Sequence, residues 1–409
     1  MKKLTAACLL FCAGPLAAGQ KIITFSPSVP PEARARAVES RGGRIIKDFP
    51  LIAGVLADFP EAAKAADIAR APGVESAEED EVVYWLASEA LADLEDAAAP
   101  APAAPAPAVS TQTPVAPVYV STIGPEGKAD HMSWGTAKMR APQAWAAARG
   151  AGARVAVLDT GVDCAHPDLA GACLPGHNSL DPRLPPSDGQ GHGTHVAAII
   201  AGRLNWSGAV GVAPEASLIP VKVLNSSGSG KVSEIIDGIE WAVANGADII
   251  NMSLGAKKFY EAQAKAVKAA RDAGVTVICA AGNDGGGVVY PAAYEGALAV
   301  AAIDFGNQLA PFSCRGPEID FAAPGVKIYS AFPGGSFRLL SGTSQAAPHV
   351  SGAAALAVGL GVRDPDALEK ALARASADIG LPAYYEGYGV PVASRLVGNL
   401  LAPPPPPAR

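Results

Sequence analysis

Residues 154–161 read Arg154-Val155-Ala156-Val157-Leu158-Asp159-Thr160-Gly161, and the fold is decided here. Four consecutive apolar residues lie between a charged start and a glycine turn, which is strand length with no polar face, as expected for a strand buried on both sides. Runs of the same kind recur at Leu218 to Leu224, Ala247 to Leu254, Val275 to Ala281 and Ala297 to Ile303. Helix-length segments separate them. In Val232 to Asn245, the residues Val232, Ile235, Ile236, Ile239 and Val243 mark one helical face, and Gly246 supplies the stop. Strands alternating with helices predict an α/β domain over 131–400, a parallel sheet with helices on both faces. Ligands of such sheets sit beyond the carboxyl ends of the strands, so that edge is where chemistry is expected.

Four polar groups fall on that edge. Asp159 follows the first strand, and Asn283 follows another in Ala-Ala-Gly-Asn-Asp-Gly. His192 opens an apolar helix between two glycines, and Ser344 stands before the Ala-rich helix Val350 to Leu360, facing its positive end. Each alone has an ordinary explanation: turn residue, loop former, one of six histidines, helix cap. Together they form an acid, an imidazole, an alcohol and an amide with distinct jobs at one rim.

The stretches Val-Leu-Asp-Thr-Gly-Val-Asp with His166-Pro167-Asp168, Gly-His-Gly-Thr-His-Val-Ala, Asn-Met-Ser-Leu-Gly, Ala-Ala-Gly-Asn and Gly-Thr-Ser-Gln-Ala-Ala-Pro-His, in that order, resemble the subtilisin-like serine proteases, the subtilases of peptidase family S8. The similarity runs from about Trp134 to about Ala355. An α/β-hydrolase order is excluded, because the nucleophile comes last and Gly342-Thr343-Ser344-Gln345-Ala346 is not Gly-x-Ser-x-Gly. The resemblance implies a serine endopeptidase with Ser344 as nucleophile, His192 as general base and Asp159 orienting it, and with Asn283 and the Ser344 N–H holding the oxyanion. It further implies two substrate rails, Ser227-Gly228-Ser229-Gly230 and Ser253-Leu254-Gly255. The acyl-side pocket would be outlined by Gly255, Ala280, Ala281, Gly282 and Val289, with Val288 and Val289 making it shallow and apolar. Gln345 stands where many relatives carry an oxidisable Met, so activity tolerant of peroxide is expected. A structural calcium is implied at Asp168 and Asn205 with carbonyls of Arg203, Ser207 and Ala209. No cofactor is expected for catalysis. His195 and His166 lack a His-Glu-x-x-His frame, so they are read as structural, as are His349, Asp163 and His177.

Upstream, Lys2 and Lys3 lead an apolar Leu4 to Ala13 and the small residues to Gly19, the pattern of an export signal over 1–19. The expected destination is extracellular or periplasmic. Residues 20–86 follow a strand-helix-strand-strand-helix-strand rhythm: Ile22 to Phe25, Pro31 to Ser40, Arg44 to Lys47, Leu51 to Phe59, Glu61 to Ala71, and Val74 to Leu86. This is a small ferredoxin-like α+β unit. It resembles the propeptide that chaperones and inhibits subtilases, with self-cleavage between Leu86 and Ala87. Residues 87–130 are read as a linker, Ala/Pro-rich over 97–117, and a second cut nearer His131 remains an alternative. The tail 401–409, with Pro403 to Pro407, is read as unstructured.

Of six cysteines, Cys8 and Cys12 lie in the signal. Export favours pairing, and the short loop between Cys164 and Cys173 makes that disulfide the expectation. Cys279 with Cys314 follows by elimination, with a buried thiol at Cys279 as the alternative. The balance of 32 basic and 39 acidic residues gives −7, which leaves no basic footprint for nucleic acid or an anionic membrane. Expected partners are protein or peptide substrates and the chain's own propeptide, acting on a monomer. The competing readings are a non-catalytic binding protein on the same scaffold and a narrow maturation protease.

Overall fold

The computed structural model describes residues 18–86, 119–123 and 128–402. Residues 1–17 of the segment read as an export signal, the residue Ala87, the Ala/Pro stretch at 97–117 and the tail Pro403 to Pro407 lie outside the described residues. Two compact units divide the chain, one ending at Asp80 and the other beginning at Glu81.

The smaller unit contains β1 (Ala18–Phe25), α1 (Pro31–Glu39), β2 (Arg44–Phe49), β3 (Gly54–Pro60), α2 (Ala65–Ile68) and β4 (Val74–Glu79). Its antiparallel sheet has the order β2-β3-β1-β4, the split βαβ arrangement the rhythm predicts. Ile23, Phe25, Val38, Val55 and Phe59 fill its core. Three boundaries differ from expectation. β1 starts at Ala18, placing two residues read as leader opposite Pro60 and Phe59. The strand expected from Leu51 begins only at Gly54, because Pro50, without an N–H for a ladder, opens a 3-10 turn through Ile52, and Ala53 follows at φ 51°. The second helix is a single turn in which only Ile68 is buried, shorter than the expected Glu61 to Ala71.

The extended run Val74 to Leu86 is divided. Its second part, β5 (Val82–Tyr84), belongs to the larger unit. There follow β6 (Tyr119–Ile123), inside the region read as linker, and β7 (Ala129–Ser133), which spans its end and pairs antiparallel with β6, then α3 (Trp134–Lys138) and α4 (Ala141–Ala144). The sheet-forming part comprises β8 (Arg154–Asp159), β9 (His177–Asn178), α5 (His192–Ala201), β10 (Ser217–Lys222), β11 (Ser229–Lys231), α6 (Val232–Ala244), β12 (Ile249–Met252), α7 (Glu261–Asp272), β13 (Thr276–Ala280), β14 (Ala297–Ile303) and β15 (Ile319–Pro324). It ends in the hairpin β16 (Ile328–Phe332) and β17 (Ser336–Leu340), with α8 (Thr343–Gly359) and α9 (Pro365–Ala375) behind it.

Seven strands make a parallel sheet of order β15-β14-β13-β12-β8-β10-β9. The chain leaves β8 for β10 on one side and places β12 on the other, so the carboxyl ends of β8 and β12 border the topological switch. Helix α8 begins at Thr343, seven residues before the predicted start at Val350, which brings Ser344 into its first turn. Its alanines are fully buried, and their small size lets α8 lie close against the sheet. Cys164 and Cys173 are joined, whereas Cys279 and Cys314 are buried free thiols. Burial pushes the Cys314 thiol up to about 11, and its Sγ donates to Asp284 Oδ1 at 2.9 Å. Among the described residues no helix is long and apolar enough to cross a membrane.

Candidate active site

At the end of β8 the Asp159 carboxylate meets the imidazole of His192, with Oδ1 and Nδ1 2.7 Å apart and both side chains at most 1% exposed. Burial pushes the Asp159 carboxyl up, and the charge and hydrogen bond of His192 oppose that shift. The imidazole is fixed from behind. Asp188 caps α5 with its carboxylate, accepting from the N–H groups of Gly191 (2.7 Å) and Thr194 (2.9 Å), while His192 N–H donates to Gln190 Oε1. Gly193 is required here: a Cβ would stand 2.1 Å from the Gly161 carbonyl, so any side chain would lift α5 off the acid. Thr160 links the two elements, since its Oγ1 donates to Asp188 and accepts from Gly193 N–H.

Ser344 is held by a reciprocal pair. Its Oγ donates to the Ser253 carbonyl at 3.2 Å, and Ser253 Oγ donates to the Ser344 carbonyl at 2.9 Å. The second bond follows from sequence. Pro348 stands four residues along α8 and has no N–H, so the Ser344 carbonyl lacks its helical donor and is open to Ser253. Asn251 donates to Ser253 Oγ and accepts from Ser351 Oγ, which ties the strand end to the helix. Asn283 is oriented by Thr343, whose N–H (2.7 Å) and Oγ1 (2.9 Å) both donate to its Oδ1. The Nδ2 end is thereby left as the donor end. Gln345 is 1% exposed, with Oε1 against Gly342.

The rails expected from sequence carry the chain's own residues. β5 pairs antiparallel with β11, matching Tyr84 to Ser229 and Val83 to Gly230. Trp85 N–H donates to the Gly228 carbonyl, its indole N–H to the Gly230 carbonyl, and its own carbonyl accepts from Gly255 N–H. Leu86 and Trp85 then line a pocket together with Leu254, Gly255, Ala280, Gly282, Asn283, Val289, Thr343 and Ser344. Val289 fills the space between Gly255 and Gly282, within 2.5 and 3.0 Å of where their Cβ atoms would be. Ala281 and Val288 are not walls of this pocket, and Ser227 turns its hydroxyl to Asn225.

The loop 203–209 lies against Asp168, whose Oδ2 accepts from Ala209 N–H. Asn205 Oδ1 accepts from Ser207 N–H and its Nδ2 donates to the Pro167 carbonyl, a turn that holds the side chain against Pro167. A residue not anticipated from sequence, Asp130, lies near Asp168. Asp130 accepts from Trp206 N–H, and one buried oxygen each of Asp130 and Asp168 has no hydrogen-bond partner among the described residues. Burial, with the Asp130 charge adding to it, pushes the Asp168 carboxyl up to about 7. Two buried carboxylates with orphaned oxygens suit a hard cation. Among the described residues no group of three His, Cys, Asp or Glu side chains could hold a metal, so carbonyl oxygens would have to complete the shell.

The four histidines expected to be structural each lie within hydrogen-bond distance of a partner in the fold. His195 Nε2 lies 3.1 Å from the Ile328 carbonyl, His349 Nδ1 is 2.8 Å from the Gln345 carbonyl, and His177 pairs with Asp237 and stacks on Trp241. His166 Nδ1 accepts from Asp168 N–H, capping the turn that presents Asp168.

The subtilase family profile matches residues 150–389. Over 216 residues, 51% of this chain and 77% of the relative, the sequence is 46% identical to Subtilisin DY of Bacillus licheniformis. It is 47% identical to Subtilisin Savinase of Lederbergia lenta over 231 residues, 56% of this chain and 84% of the relative. With Subtilisin E of Bacillus subtilis (strain 168), 46% identity extends over 236 residues, 56% of this chain and 61% of that one.

Proposed function

This chain belongs to the subtilase family and is a serine endopeptidase; on that premise we propose that it is exported as a zymogen, frees itself by cutting after Leu86, and then cleaves proteins after apolar residues. The observation that carries the reading is the segment Glu81 to Leu86, which pairs with β11 and ends at the pocket of Ser344. The Lys2-Lys3 leader supports export. Val289, which shortens the pocket, supports an apolar preference of limited depth.

In the chemistry we propose, the Ser344 hydroxyl leaves the Ser253 carbonyl and gives its proton to Nε2 of His192 as Oγ bonds to the substrate carbonyl carbon. The imidazolium formed is stabilised by Asp159 across the Nδ1–H bond. Negative charge developing on the carbonyl oxygen is met by Asn283 Nδ2 and by the Ser344 N–H, which lies in the first turn of α8 where no intrahelical acceptor exists. The same proton then goes to the leaving amine, which departs and leaves an acyl-Ser344 ester. Water, deprotonated by His192, hydrolyses the ester and restores the hydroxyl. All of these groups come from one chain, so a monomer suffices.

A calcium ion, if bound, would be held by Asp130 and Asp168 with carbonyls of the 203–209 loop. It would supply charge neutralisation and would fix the loop.

The test compares the full chain with Ser344→Ala. The parent is expected to label with a fluorophosphonate and to yield material starting at Ala87, while Ser344→Ala stays full length after leader removal and unlabelled. A parent that never labels, or a variant processed at the same bond, overturns the reading.

A further inference from the structure

The segment in the cleft carries a carboxylate at its head. Glu81 Oε1 lies 2.6 Å from Lys258 Nζ, and Oε2 accepts from the Tyr260 hydroxyl at 2.9 Å. The Glu81 carbonyl accepts from Val232 N–H, so the backbone is fixed at the same point. Tyr260 does not depend on Glu81 for its position. It is 2% exposed, its N–H donates to the Tyr294 hydroxyl at 3.0 Å, and that hydroxyl also lies 3.0 Å from Gln263 Oε1. The Lys258 ammonium sits 5.0 Å from the centre of the Tyr260 ring, and the Trp85 ring centre lies 6.3 Å from it. Thus a preset phenol and a cation face one carboxylate.

Between Glu81 and the pocket only Val83 is half-buried. Val82 is 67% and Tyr84 52% exposed, and the pairing with β11 is made by backbone, which reads no sequence. Apart from the half-buried Val83, the side chains placed to discriminate are those at its two ends, the apolar pair Trp85-Leu86 and the acidic residue.

We propose that Lys258 and Tyr260 form a subsite for an acidic side chain five residues before the residue whose carbonyl is attacked, so that peptides with Glu there are preferred substrates. The proposal rests on the reading that Leu86 is the acyl residue. Lys258 is exposed, so its Coulombic share is screened by salt, whereas the buried phenol sets direction by a charge-assisted hydrogen bond.

The test uses processed enzyme, counted by fluorophosphonate titration, and two peptides that carry Glu-Val-Val-Tyr-Trp-Leu or Gln-Val-Val-Tyr-Trp-Leu before a fluorogenic amide. For the parent, kcat/KM is expected to fall about three- to tenfold from Glu to Gln. The ratio should move towards one in a Lys258→Met, Tyr260→Phe double variant, and should shrink in the parent at high salt. Equal rates on the two peptides in the parent, or a ratio preserved in the double variant, overturn the proposal. Failure of the underlying reading looks different: the fluorophore after Leu is not released from either peptide, although titration still counts active Ser344. The parent comparison needs no variant to fold.

Discussion

At the scale of single residues, the arrangement separates groups that react from groups that aim them. Asn283 has its oxygen occupied by Thr343, so its amide donor is aimed before substrate arrives, and a preset donor needs no reorganisation when charge appears. Asn283→Ala is expected to lower kcat by about 10²–10³ with little change in KM, the size of effect that removing the oxyanion-site asparagine has in subtilisin itself. Steady-state kinetics on a short peptide decides it, and an unchanged kcat removes Asn283 from the oxyanion site. Asp159, His192, Asn283 and Ser344 were legible because each follows a strand or opens a helix within a long motif. Thr343, Asn251 and Ser351 were not singled out, because what makes them matter is a hydrogen-bond partner far along the chain. The clue to Ser253 was present all the same: a proline four residues after Ser344 leaves one helical carbonyl without a donor.

At the scale of elements, the least self-sufficient piece is the loop 203–209 with Asp130 and Asp168. Asp130 lies in β7, at the end of the region read as linker, so nothing in the local sequence marked it as a partner of Asp168. Two orphaned carboxylate oxygens in one buried place cost stability unless a cation joins them. Millimolar calcium is expected to raise the midpoint of thermal unfolding, by about 2.7 kcal/mol of linkage at a hundredfold excess over Kd. A chelator should reverse the rise, and Asp130→Asn should lose most of the response. Identical midpoints with calcium and with chelator would exclude the ion. At the same scale, β5 departs from a reading as one long strand through Leu86, because its hydrogen-bond partners are in β11.

For the whole molecule, the cost of burying charge sets a pH dependence away from the active site. Asp320, in β15, is pushed by burial up to about 7, and it accepts a hydrogen bond from Ala299 N–H. Between its ordinary value of 3.8 and about 7 the native state keeps a proton that the unfolded chain has released. Native stability therefore declines as pH rises through that window, on the order of 4 kcal/mol for this group. Asp320→Asn keeps an oxygen for Ala299 and abolishes the titration. Its unfolding midpoint, measured by calorimetry, should exceed the parent's by more at pH 8 than at pH 5, and a gap independent of pH would show that Asp320 stays ionised at no cost.

The sequence by itself determined the parallel sheet, the reactive edge and the family resemblance, because apolar runs and glycine turns report burial and strand ends locally. It also determined the Cys164–Cys173 pairing, which a short loop makes easy to close. Only the tertiary structure decided that Asp130 faces Asp168, that Cys279 and Cys314 stay apart, and that Glu81 meets Lys258 and Tyr260. Those contacts join residues with no shared period or motif. Their free energy exists only after the chain has been brought together, and a linear reading has no term for it.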